Sequence, residues 1–144
     1  MLAHKHLIIR AEVEKPIVET NVAIDWMKRL INDIGMKITE HGGPYADYVK
    51  KEGNCGIAAV AIIETSHVGL HLWDQEDPPL AQIDVYSCSE FEVRDIIPCV
   101  NEMGPTKIWY KFLDRENCLQ EIDNSFRDLT GLDGNDRPHW STCI

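Results

Sequence analysis

The chain is short of positive charge: 14 lysines and arginines against 24 aspartates and glutamates leave a formal net charge of −10. A nucleic-acid partner needs a basic footprint, so none is expected, whereas a cationic ligand suits the balance. Nor does any apolar run approach the roughly 20 residues of a membrane helix. The run at 7–9 that follows the start is too short for a signal peptide. A cytoplasmic protein without membrane contact is the expectation. The five cysteines, Cys55, Cys88, Cys99, Cys118 and Cys143, are odd in number and contain no Cys-x-x-Cys pair, which argues against a disulfide framework or structural zinc. His4-x-His6 and His67-x-x-x-His71 match no recognised zinc spacing either, so no metal is expected. No serine sits in a Gly-x-Ser-x-Gly elbow, which removes the usual hydrolase reading.

What is present reads as one domain over residues 1–132 with a flexible tail at 133–144, where Asp133 to Pro138 breaks regular structure. Residues 6–13 form a first strand. Asn21 is a plausible N-cap for a helix with Ala23, Met27, Leu30, Ile31 and Ile34 on one stripe and Gly35 closing it. A short strand at 36–39 follows, 45–51 is ambiguous, and the Ala, Val and Ile run at 57–64 fits a strand buried on both faces. Ser89-x-x-Glu92 has the spacing of a capping box and opens a helix that Pro98 should kink or shorten. A strand at 107–113 and a short helix at 119–129 complete the order. The fold class is α+β, a two-layer sandwich of a mostly antiparallel sheet with helices on one face.

The chemistry concentrates in residues 64–88. With a period of two, Val68, Leu70 and Leu72 share one strand face, and His67, Gly69, His71 and Trp73 the other. The run 83–88 alternates as well, and the acidic loop between them, with Pro78 and Pro79, suits an antiparallel hairpin. Pairing Trp73 with Gln82 would set His71 opposite Asp84 and His67 opposite Cys88. A slip by one would turn the apolar face over, so the parity is constrained even where the register is not. Ser66, His67, His71, Asp84 and Cys88 are then expected on one side of two neighbouring strands.

Ser66-His67-x-x-x-His71-x-Trp73, followed by Ile83-Asp84-Val85-Tyr86-x-Cys88, resembles the core of the prokaryotic pyruvoyl-dependent S-adenosylmethionine decarboxylases. The clear match spans residues 56–88 and looks most like the short versions carried by phages. The resemblance implies a proenzyme cut between Thr65 and Ser66, with Ser66 becoming a pyruvoyl cofactor that forms a Schiff base with substrate. It implies His71 as a processing residue and Cys88 as proton donor, a role open to a thiol because its reference pKa of about 8.5 keeps it mostly protonated at neutral pH. Val68 and Trp73 would line the substrate pocket, and Asp74 or Glu76 would hold the ribose or the cation. The product would be the aminopropyl donor for spermidine synthesis, and the working unit a homodimer packed sheet to sheet.

The chain departs from the family in having Thr65 where relatives have glutamate and Ala58 where they have a serine that works with the histidine. The family's loop phenylalanine has no obvious counterpart beyond Tyr45 or Tyr48. Two alternatives therefore stand: a pyruvoyl-dependent decarboxylase of arginine or ornithine, and an unprocessed homologue that binds a ligand or partner without catalysis. In that last case Ser66 is an ordinary strand serine, His71 a structural partner of Asp84, Cys88 a small buried side chain, and the acidic loop a solvated turn.

Overall fold

Apolar side chains that alternate along the strands decide which side of the sheet is dry. The computed structural model describes residues 3–130. Its elements are β1 (Lys5–Val13), α1 (Thr20–Asp33), β2 (Tyr45–Val49), β3 (Gly56–Ile63), β4 (Ser66–Trp73), β5 (Leu80–Ser87), α2 (Val93–Asn101), β6 (Pro105–Asp114) and β7 (Gln120–Asp128). The strands form one seven-stranded sheet in the order β2-β3-β4-β5-β1-β6-β7. Every pairing is antiparallel.

Leu7, Ile9 and Ala11 of β1, Val68, Leu70 and Leu72 of β4, and Ile83 and Val85 of β5 are buried with the apolar stripes of both helices. Burying a side chain such as Leu or Ile is worth roughly 1.5–3 kcal/mol each, so this layer dominates the stability. Trp26 of α1 is buried, and its indole N–H donates to the Cys99 carbonyl of α2 at 2.9 Å, tying the helices together. This is the expected two-layer α+β sandwich, with the other sheet face left open.

Several expectations are corrected. β3 is not buried on both faces, because Val60 and Ile62 are 48% and 52% exposed on the side without helices. The 36–39 segment makes only the single bridge Ile38 to Ile63, while the ambiguous 45–51 stretch contains edge strand β2. Helix α1 starts from Glu19, not Asn21, and makes no side-chain cap bond; Gly35, at φ 71, does close it. The capping box of α2 is Glu92 with Asp95, one turn later than Ser89 with Glu92. Pro98 lies inside α2, which continues to Asn101.

The largest miss is 119–129, which forms β7 instead of a helix. Its turn, with Cys118 and Leu119 at φ 56 and 55, has two consecutive positive φ angles, as a tight hairpin needs, but lacks the Asn-Gly that usually announces one. Phe126 stacks on Trp109 with ring centroids 4.9 Å apart, and the Tyr110 hydroxyl donates to Asp123 at 2.7 Å. Those cross-strand partners on β6 are invisible to a local pattern. The expected tail at 133–144 lies outside the described residues.

Candidate active site

β3 and β4 are joined by a tight turn at Glu64 and Thr65, with Ile63 opposite Ser66. Ser66 has φ 141, a region that favours glycine and strains a residue carrying a Cβ. Across the sheet Ser66 pairs with Ser87, which carries the next residue, Cys88, to the turn. The Cys88 backbone N–H donates to the Thr65 carbonyl at 2.8 Å. Thr65, Ser66 and Cys88 therefore meet at one end of the β4–β5 ladder. Ser66 itself shares the parity of buried Val68, so it is not on the histidine face by alternation.

His71 stands apart from this junction. Five residues of strand at about 3.3 Å each put it roughly 16 Å from Ser66 within one chain. It lies on the open face, opposite Ala58 of β3 and Gln82 of β5, with its ring stacked on Trp73 at 6.1 Å. The expected register is thus displaced by two residues: Trp73 faces Leu80, Gly69 faces Asp84, and His67 faces Tyr86. A shift of two preserves the apolar face, so side-chain pattern cannot detect it. The shorter connecting loop simply extends the ladder.

Asp84 pairs with Gly69, where a Cβ would sit 2.7 Å from Asp84 Oδ2 and push the carboxylate aside. Its carboxylate faces His6 and His67, with His6 Nε2 at 3.4 Å and His67 Nε2 at 3.3 Å from Oδ1. The hydrogen bond with His6, aided by the charge of His67, holds the Asp84 carboxyl below its ordinary value against the opposing effect of burial. His71 is therefore not the partner of Asp84. The open face here has a hollow of about 240 Å³, floored by Ala58 and Gly69 and flanked by His67, His71 and Asp84.

The remaining residues separate into three environments. Trp73 donates its indole N–H to Asn54 Oδ1 at 2.8 Å and lines, with Arg10 and Glu76, a groove of about 340 Å³. Asp74 accepts the Tyr48 hydroxyl at 2.9 Å. Val68 is completely buried in the core beneath the sheet, where a ligand on the open face does not reach it.

A family model described as S-adenosylmethionine decarboxylase matches residues 7–116, well over half of the chain. The chain belongs to the S-adenosylmethionine decarboxylase family. No curated protein matches it. In fold it is similar to the crystal structure of the adenosylmethionine decarboxylase from Aquifex aeolicus VF5, with a TM-score of 0.61 at 17% identity, over 79% of this chain and 91% of that one. At that identity the likeness establishes the fold alone. The span matched by the decarboxylase family includes Ser66, His71 and Cys88 and stops before β7. Among the described residues no helix is long and apolar enough to cross a membrane. What sequence reasoning missed in this decarboxylase-family chain is His6, brought to Asp84 only because β1 pairs with β5.

Proposed function

We propose that this chain cleaves itself between Thr65 and Ser66, converts residue 66 into a pyruvoyl group, and decarboxylates S-adenosylmethionine to the aminopropyl donor of spermidine synthesis. The observation that carries the reading is the junction itself: Ser66 at φ 141, with the Thr65 carbonyl held by the Cys88 amide. Attack of Ser66 Oγ on the Thr65 carbonyl carbon moves the acyl group from nitrogen to oxygen. The Cys88 N–H already faces the oxygen on which negative charge develops. Removal of the Cα proton of residue 66 then drives elimination, in which the C–H electron pair forms a Cα–Cβ double bond, the Cβ–Oγ bond breaks and the Thr65 carboxylate leaves. Water then replaces the nitrogen of residue 66, which departs as ammonia. Cleavage also deletes the bond that defines φ of residue 66, relieving strain of about 1–3 kcal/mol.

A pyruvoyl group supplies an electron sink for the loss of carbon dioxide. The residues around the junction fit it: Cys88 follows the cross-strand partner of Ser66 and is the proton donor in this reading. Trp73 and Glu76 share a groove at the far end of β4, roughly 23 Å from Ser66 at about 3.3 Å per residue, so in this reading they hold the nucleoside and the cationic end of a substrate bound at a second copy's junction. Asp74 is held by the Tyr48 hydroxyl and does not line that groove, and Val68 supports β4 from below.

The 16 Å between Ser66 and His71 makes a single chain incomplete for maturation. Two copies packed by their open faces, each carrying exposed Ile8, Val60 and Ile62, would bring the partner's His71 to the turn end of β4, beside the Thr65–Ser66 bond, although the Ser66 side chain has the parity of the buried face. Ala58 lies directly opposite His71, where family members place a serine. Ala58→Ser is expected to accelerate cleavage about 100-fold, the lower end of what a positioned proton-transfer group contributes. A time course of intact masses after synthesis reads this, and an unchanged rate would remove Ala58 as the slow point.

Intact mass under denaturing conditions tests the reading as a whole. Two fragments meeting at Thr65 and Ser66, the second with a blocked N-terminus, are expected. Carboxyl-labelled S-adenosylmethionine should then release labelled carbon dioxide, where labelled arginine and ornithine do not. Cleaved protein inactive on S-adenosylmethionine would overturn the substrate. A chain that stays whole would favour the non-catalytic homologue, the reading that Thr65 and Ala58 support.

A further inference from the structure

We propose that His6, His67 and Asp84 form a binding site for a divalent transition-metal ion of the zinc class on the open face of the sheet. The three side chains come from adjacent strands β1, β4 and β5 and offer one ligand atom each, all within 4.8 Å of one another. Two imidazoles and one carboxylate are donors that zinc takes, at about 2.0–2.2 Å. Ligand atoms at that distance around a tetrahedral ion stand about 3.3 Å apart. The spacings here are 3.3 Å from His67 Nε2 and 3.4 Å from His6 Nε2 to the same Asp84 oxygen. Charge-assisted hydrogen bonds would close to roughly 2.7–2.9 Å, so the cluster is more open than ion pairing alone requires.

The surroundings keep that opening. Gly69 beneath Asp84 carries no Cβ to push the carboxylate away, and paired strands hold all three ligands more rigidly than loops do. The side chains are 18%, 45% and 35% exposed for His6, His67 and Asp84 in the single chain, which leaves the fourth position of a tetrahedron to water or, between two copies packed by these faces, to a group of the partner. One neighbour opposes the ion. Arg115 Nη1 lies 3.4 Å from His6 Nδ1 while its guanidinium covers the Tyr86 ring at 3.9 Å. Arginine only donates, so this contact places the His6 hydrogen on Nε2. Metal ligation through Nε2 moves that hydrogen to Nδ1 and turns Arg115 away. The site includes neither Ser66, His71 nor Cys88, so it stands whether or not the chain matures.

Titration of the full metal-free chain with zinc, followed by calorimetry, should give one ion per chain. His6→Ala, His67→Ala and the isosteric Asp84→Asn should each weaken binding by more than the roughly 10–100-fold that loss of an outer-shell partner costs. Arg115→Gln should tighten it, because it removes a positive charge and frees His6 Nδ1. Cobalt in place of zinc should give the visible absorption of a tetrahedral site, lost in Asp84→Asn. His139→Ala with Cys143→Ala, outside the described residues, should leave affinity unchanged. Absence of zinc binding to the wild-type chain, binding indifferent to Asp84→Asn, or binding lost with His139 and Cys143 would each overturn the site. Should an alanine variant not fold, Asp84→Asn and Arg115→Gln, with opposite expected signs, still decide it.

Discussion

Ser66→Ala is expected to remain a single intact chain with no decarboxylase activity, because it removes the oxygen that attacks Thr65 and with it the source of the pyruvoyl group. The loss should be complete, since no other serine occupies the β3–β4 turn. Ser66→Gly should be equally inert but more stable. A Cβ at φ 141 costs about 1–3 kcal/mol, whereas glycine adopts that angle freely. The greater freedom of glycine in the unfolded chain returns roughly 0.4–1 kcal/mol of this. Ser66→Gly should therefore exceed Ser66→Ala by about 1 kcal/mol in urea unfolding. Fragments from Ser66→Ala would show cleavage by another route, and equal stability of the two variants would deny that the junction is strained.

Co-expression of Ser66→Ala and His71→Ala chains should restore cleavage that neither shows alone. About 16 Å of extended strand separates the two residues, so one chain cannot supply both to the same bond. In a mixed dimer the Ser66→Ala copy lends His71 to the intact Ser66 of the other. Random pairing makes roughly half of the dimers mixed, each with one complete site, so roughly a quarter of the wild-type number of sites is expected. Mass spectrometry of the mixture identifies the cleaved chain, which must be the one carrying His71→Ala. Cleavage absent from the mixture but present in wild type would sink the shared site. Cleavage of His71→Ala by itself would remove His71 from maturation altogether.

The two experiments separate what is local from what is assembled. The Thr65–Ser66 bond, its strain and its Cys88 amide belong to one chain, whereas the proposed action of the histidine is on a neighbour's bond. A Ser66→Ala variant that fails to cleave alongside a mixture that also fails would keep the first and discard the second.

Much of this protein was legible in its residues alone. The period-two alternation in 66–73 and 80–87 determined which side chains of β4 and β5 enter the core, since a side chain facing the wrong way would expose a row of Val, Leu and Ile to water. The apolar stripes of α1 and α2 placed both helices on that same dry side, and the contiguous run from Ser66 to Cys88 carried the family likeness. The tertiary structure decided the rest, for identifiable reasons. A two-residue shift of the β4–β5 register leaves every apolar side chain on its face, so only the paired backbone fixes Asp84 over Gly69 and away from His71. Strand β7 answers to Trp109 and Tyr110 of β6 more than to its own weak periodicity. His6 reaches Asp84 across 78 residues of sequence because β1 inserts between β5 and β6, a placement set by long-range pairing that no local spacing encodes.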